Sequence, residues 1–470
     1  MAPSDPDSRQ GPLPEGRPAA DWKAPLALLS LSLSVLVWVN GLVGSLQRPS
    51  VGDSLALRQL ELTALAAEAF ARPPAGLFGS DPRADVARAL RQRSESSPIP
   101  APVAERLELA LLERGTDPSG ATARLRDLTQ MVDAARRPLL EALASGEVLD
   151  PVLQAPLLEP WSPSPMLRQL VCEQLGGVSA SCPAAHHAPR LLVQWGVVSL
   201  LPLPLLLTGV LLVLRQLWQA RRGRLAPAPP LIGPPLDLTE VTLLIAGGFV
   251  LLGEVLMPQV LQVPLVSLLA SLQLPGSLMQ GLQVLLLYVL LMVAPLAILM
   301  AMLRGRGIPP AGGWLQWRWR PLPAALLRAL ATVLMVLPAV ALCGWLIERL
   351  FPDAGGSNPL LDLVLTNPDP LALACFAFTA TVLAPLFEET LFRGVLLPVL
   401  ARRLGPLPAV LASAALFALA HLSLSELVPL LVLGSGLGWL RWRSGRLGAS
   451  VLMHGLWNGL TFVNLLVLAR

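Results

Sequence analysis

The sequence predicts an all-α, polytopic membrane helix bundle of about eight to nine spans, with a helical extramembrane insertion between the first two spans. Three observations carry this. Charged residues fill only 14% of the 470 positions and hydrophobic residues 54%, against about 25% and 45–50% in a soluble domain. Apolar runs long enough to cross a bilayer recur along the chain. Arginines gather at the ends of those runs, where the positive-inside rule places them. These features exclude a disordered chain, a coiled coil and an ordinary cytosolic enzyme. The net charge of +4 is almost wholly arginine, Lys23 being the only lysine. No stretch alternates basic and aromatic residues on a polar background, so no nucleic-acid partner is expected.

Residues 1–21 are rich in Pro, Asp, Ser and Gly and are expected to form a disordered cytoplasmic N-terminus. Within residues 22–46, Pro25–Leu46 follows Trp22-Lys23 and is long enough to span. It does not read as a signal peptide, because acidic residues precede it and the apolar part is long. Residues 47–189 carry mixed charge. They show helical periodicity in Leu55–Ala71, Val103–Arg114 and Ala121–Leu143, with Pro-rich joints at Ser97–Pro102 and Pro156–Pro165. This predicts a small helical extramembrane domain.

Membrane segments then fill 190–320 and 321–470. The candidate spans are Leu191–Leu214, Val241–Leu256, Leu282–Leu303, Ala324–Ile347, Leu371–Leu400, Leu407–Ala420, Leu427–Leu440 and Leu447–Leu468. Val260–Leu278 is apolar but broken by Pro264, Pro275 and Gly276, so a loop or half-span is expected there. The arginine clusters at 215–224, 304–320, 402–403 and 441–446 should be cytoplasmic. Alternation then puts the N-terminus inside and residues 47–189 outside, in a bacterial inner membrane or an organelle membrane. On that outer side Cys172 and Cys182 permit a disulfide; two free thiols are the alternative. Cys343 and Cys375 fall in apolar helices and read as packing residues.

A charged side chain at mid-span costs roughly 2.5–3.5 kcal/mol on insertion scales. The few that occur are therefore informative. Glu388, Glu389 and Arg393 lie inside Leu371–Leu400 and would together cost about 8–10 kcal/mol unpaired. Glu389 and Arg393 are four apart and can pair on one helix face. Glu388 lies about 100° round the helix, free to face a cavity. A buried ion pair locking two helices accounts for Glu389 and Arg393 but not for Glu388. His421 closes the run Phe417–His421. His454 and Asn458 share a helix face four residues apart, where packing by an interhelical hydrogen bond is the plain alternative. His186 and His187 read as solvated. Glu254 is a lone acid in a span, read as a packing or gating group. Gly434 and Gly438 form a close-packing GxxxG rather than a serine nucleophile elbow around Ser435.

A glutamate and a histidine can polarise a water for attack on a carbonyl. A second histidine and an amide can donate to the oxyanion that forms. Glu388, His421 and His454 also make a three-ligand set that zinc accepts. The reaction class is amide hydrolysis within or near the membrane. No HExxH occurs, so the usual zincin signature is missing.

The ordered trio Glu388-Glu389-x-x-x-Arg393, Phe417-x-x-x-His421 and His454-x-x-x-Asn458 resembles the motifs of the CPBP (CAAX protease and bacteriocin-processing, or Abi) family, which contains the type II CAAX prenyl endopeptidase. The resemblance covers roughly residues 370–468. It implies an all-α intramembrane endopeptidase, in which Glu388 and His421 activate the water. His454 and Asn458 would stabilise the oxyanion, and Glu389 and Arg393 would shape the site. It implies either a zinc-dependent or a metal-free, glutamate-dependent mechanism. The expected partners are membrane lipid and a membrane-associated protein or peptide substrate. A catalytically inactive scaffold or immunity-type protein is the alternative. A transporter with a Glu/His proton relay is a third reading, weakened by the lack of an internal repeat of spans.

Overall fold

The chain, seen in a computed structural model, is described at residues 22–47, 51–70, 76–96, 101–146, 148–161, 164–176, 182, 184, 187–351, 363–365, 367 and 369–469. The expected disordered segment 1–21 and His186 lie outside the described residues. Among the described residues the regular elements are all helical.

Helix α1 (Lys23–Ser45) is followed by seven short helices: α2 (Val51–Ala69), α3 (Pro82–Ser96), α4 (Val103–Glu113), α5 (Pro118–Met131), α6 (Arg137–Ser145), α7 (Pro151–Leu158) and α8 (Pro165–Gly176). They bury one core, with Leu107, Leu125, Leu140, Leu143, Leu167 and Leu175 fully enclosed. Helix α3 is mostly polar, yet it buries Val86 and Leu90 and begins where Asp81 accepts a hydrogen bond from the backbone of Ala84. The periodic stretch Ala121–Leu143 is not one helix. Val132 is extended, the Asp133 side chain accepts from the Arg136 backbone at 3.0 Å, and Pro138 opens the next helix. A short acid that bonds its own backbone favours a turn over a continued helix. Arg83 ties three helices by pairing with Glu68 and Glu173, both at 2.6 Å. Cys172 on α8 is disulfide-bonded to Cys182.

The membrane part continues through α9 (Ala188–Arg221), α10 (Leu238–Ser271), α11 (Gly276–Leu303), α12 (Leu322–Leu350), α13 (Pro370–Leu404), α14 (Pro406–Ala420), α15 (Leu427–Ser444) and α16 (Leu447–Ala469). Seven helices are long and apolar enough to cross a bilayer: α1, α9 to α13 and α16. The protein is a multi-pass integral membrane protein. The remaining two of the nine expected spans, α14 and α15, are shorter or less apolar and pack against each other. A Cβ added at Gly434 would lie 3.1 Å from Ala414, and one at Gly438 3.0 Å from Val410, the close approach that GxxxG permits. Of the breaks expected over Val260–Leu278, the one at Pro275 and Gly276 is a short loop at 272–275, and the one at Pro264 does not occur. Helix α10 runs on through Pro264 to Ser271, and α11 starts at Gly276.

Proline explains a recurring irregularity. Wide, π-type turns cover Gly196–Leu200, Leu243–Leu256, Thr379–Leu383 and Thr390–Leu396. Each ends two residues before a proline: Pro202, Pro258, Pro385 and Pro398. Proline lacks the N–H of the normal turn and crowds the carbonyl four residues back. Widening the turn relieves that conflict without ending the helix.

The arginines at run ends share one face. Arg402 donates to the carbonyls of Pro234 and Leu236, Arg441 to Ile232 and Arg443 to Ala226. The Pro-rich connection between α9 and α10 has few N–H groups of its own, so these guanidinium groups satisfy its carbonyls. On the same face Lys23 and Arg306 both pair with Glu240.

Candidate active site

The site is built on α13. Its two glutamates sit on a short stretch of ordinary helix, Ala384–Glu389, between the wide turns at 379–383 and 390–396, and Arg393 lies in the second of these turns. Glu389 and Arg393 are fully buried and pair at 2.8 Å, as the four-residue spacing predicts. Arg393 also donates to the Gly434 carbonyl at 3.0 Å and lies 4.3 Å from the Phe417 ring centre. The ion pair thereby joins α13 to α14 and α15.

Helix α16 comes up against the first wide turn. A Cβ on Gly455 would sit 2.7 Å from the Thr381 carbonyl oxygen, so only glycine allows this approach. Within the turn the Ala384 N–H bonds back to Thr379. The next donor in that pattern belongs to Pro385, which has none, and the Ala380 carbonyl is left over. Asn458 donates to it from Nδ2 at 2.8 Å. One N–H of the Asn458 amide is thus committed to the scaffold, and the other is left for a ligand.

His454 is bound on both ring nitrogens' sides by carboxylates. Its Nδ1 is 3.0 Å from Glu389 Oε1, and its Nε2 is 3.9 Å from Glu388 Oε2. Glu389 Oε1 already accepts from Arg393, so the Nδ1 proton points to Glu389 and the Nε2 edge meets Glu388. His421 Nδ1 lies 2.8 Å from the Phe417 carbonyl. It donates there, which leaves Nε2 with its lone pair. Both imidazoles pack edge-on to Phe417, with ring centres at 4.6 Å for His421 and 5.7 Å for His454.

Glu388, His421, His454 and Asn458 all line one cavity of about 530 Å³. Glu389 and Arg393 are not among its lining residues; they stand behind it. The separation of Glu388 from the Glu389–Arg393 pair, expected from their positions round the helix, is therefore present. The tie from Glu389 to His454 was not legible in the sequence. Nor was Tyr288, the only tyrosine of the chain, which donates to Glu388 Oε1 at 3.2 Å and lines the same cavity. A single tyrosine in the middle of an apolar span is the signal that marked it. Among the described residues Glu388 Oε2 has no hydrogen-bond partner; His454 Nε2 stands 3.9 Å from it. Glu254 on α10 is near enough for its charge to act on Glu388.

The zinc set does not gather. No three His, Cys, Asp or Glu side chains among the described residues are grouped to hold a metal ion. His454 Nδ1 and His421 Nδ1 are held by Glu389 and Phe417, which leaves their Nε2 atoms as the donors on offer; with Glu388 these are too far apart to hold a zinc ion in this arrangement.

Residues 370–460 match the type II CAAX prenyl endopeptidase Rce1-like family. This part of the chain is similar to CAAX-type proteases, in keeping with the motif resemblance. Residues 52–193 match a family described as a domain of unknown function (DUF8675), a range close to that of the helical segment between α1 and α9. No curated protein and no solved structure matches the chain.

Proposed function

We propose that the protein is an intramembrane endopeptidase that hydrolyses a peptide bond of a membrane-associated protein or peptide by a metal-free, glutamate-dependent route. The observation that carries this reading is the common cavity of Glu388, His421, His454 and Asn458. A scaffold would need the Glu389–Arg393–His454 cluster but has no use for a further carboxylate, lining a cavity, with one oxygen that no hydrogen bond satisfies.

Glu388 Oε2 takes a proton from a water as the water oxygen bonds to the scissile carbonyl carbon. Tyr288 fixes the carboxylate through Oε1. His421 accepts a hydrogen bond from the same water at Nε2 and orients it. The carbonyl oxygen becomes an oxyanion, which receives the free N–H of Asn458. In its doubly protonated form His454 donates to it from Nε2, with Glu389 balancing the charge through Nδ1. The tetrahedral carbon then expels the amine as Glu388 returns its proton to the leaving nitrogen. Glu389 and Arg393 hold His454 and α13 in place.

The deciding experiment compares membrane proteomes of cells carrying wild type and Glu388→Gln. A membrane protein cleaved only by the wild type is the expected result; identical proteomes together with no cleavage of any peptide by the purified enzyme would overturn the reading.

A further inference from the structure

The cavity lies in one half of the membrane part. Helix α16 starts at Leu447, beside Arg441, Arg443 and Arg446. His454 is about 10 Å along it and Leu465 about 27 Å; both line the cavity. Val340 lies about 27 Å from the arginine-side start of α12 and also lines it. Glu426 caps the end of α15 away from Arg441 and Arg443, and Val364 belongs to the connection that joins α12 to α13 away from Arg402 and Arg403. The cavity thus runs from Glu388 at mid-span to a rim on the face opposite the arginine clusters.

The helical domain sits on that same face. Leu468 and Val467, next to the cavity-lining Leu465, belong to the domain core. Leu55 of α2 packs against the cluster that contains Val364, Phe462 and Leu465, all three of which line the cavity. Two independent features give this face its side. The arginines mark the other face as cytoplasmic, and the Cys172–Cys182 disulfide marks the domain as standing in an oxidising compartment.

We infer that the substrate reaches the site from the extracytoplasmic side, past the rim under α2, and that it is a peptide segment at or just inside the outer leaflet. Resting on the protease reading above, this excludes a cytoplasmic C-terminal tail as substrate. The rim also selects side chains. Val284, Val364, Phe462 and Leu465 present apolar surface between the opening and Glu388, so the residues flanking the scissile bond on the rim side are apolar.

The test uses the full chain with Cys343→Ser and Cys375→Ser, so that an added thiol is the only free one. Thr461→Cys and Val284→Cys place it in the cavity, and Arg403→Cys places it on the arginine face. In intact bacterial cells a membrane-impermeant maleimide is expected to label the two cavity thiols and not Cys at 403, which labels only after lysis. Cavity thiols that label only after lysis, or not at all, overturn the inference. The protease reading is scored separately with a quenched fluorogenic apolar peptide and detergent-solubilised wild type against Glu388→Gln, where both faces are open. Cleavage in detergent, without cleavage of peptide added outside intact cells, overturns the side of access and leaves the protease reading standing. No cleavage in detergent overturns the protease reading, while the labelling still decides the side on which the cavity opens.

Discussion

His454 Nδ1 meets Glu389 Oε1 at 3.0 Å, on the same carboxylate oxygen that Arg393 holds at 2.8 Å. One buried oxygen therefore orients a cavity imidazole and neutralises a buried guanidinium. The second glutamate of the motif is thereby committed to its neighbours, whereas the first lines the cavity.

Glu388→Gln should abolish proteolysis with the fold intact. Gln keeps the Tyr288 contact but cannot take the water's proton, and loss of a general base costs about 10²–10⁴-fold in rate. Single-turnover rates on a cleaved peptide, with thermal melting as the fold control, measure this. Retained activity would falsify the role.

Arg393→Met should destabilise the protein even though Arg393 does not line the cavity. Removing one member of a fully buried pair leaves an uncompensated charge, at a cost of about 3–5 kcal/mol. A large drop in melting temperature in detergent is expected. An unchanged melt would count against the buried pair as a tie between α13, α14 and α15.

Tyr288→Phe should slow hydrolysis without unfolding the protein. The lost hydrogen bond goes to a carboxylate, a class worth about 1.5–3 kcal/mol. The expected loss is about 10- to 100-fold in kcat, with a smaller effect on KM. An unchanged kcat would remove Tyr288 from the site.

Chelator treatment should leave cleavage unaffected, because Glu388, His421 and His454 are not gathered around one point. Loss of activity on chelation, restored by zinc, would require these side chains to rearrange.

Much of the site was legible because the membrane penalises polar residues. Glu388, His421, His454 and Asn458 stand out in apolar runs, and their order along the chain adds to the signal. What the sequence could not show were links between distant helices. The Glu389–His454 contact spans 65 positions, and Tyr288 reaches Glu388 across 100. Proline misled in one place. Pro264 reads as a breaker, yet α10 continues, because in apolar surroundings ending the helix would leave more backbone groups unpaired than the one bond proline removes. In the extramembrane domain the opposite happened, where Asp133 and Pro138 split a stretch whose apolar period alone looked continuous.

The extramembrane domain should lose stability as pH rises. Burial, and then the charge of Glu61, push the Glu108 carboxyl well above its ordinary 4.5; burial also raises Glu61. In the folded state these groups keep their protons to higher pH than in the unfolded chain. The stabilisation is full below about 4.5 and is lost as pH climbs through the raised folded value. Protection factors of amides 103–113, corrected for the intrinsic exchange rate at each pH, should be higher at pH 5 than at pH 8, and Glu108→Gln should reduce the difference. Equal protection at both pH values would count against the buried acid pair.

The six-residue stretch Ala384–Glu389 has a wide turn on either side of it, each followed closely by proline. Its rotational setting relative to the rest of α13 is therefore fixed by the two wide turns that flank it. A wide turn carries one residue more than a normal one, so losing it would rotate the helix beyond it by about 100°. Pro385 and Pro398, by fixing where the helix widens, thus bear on which way Glu388 and Glu389 point, so the aim of the two carboxylates is set by residues that carry no charge themselves.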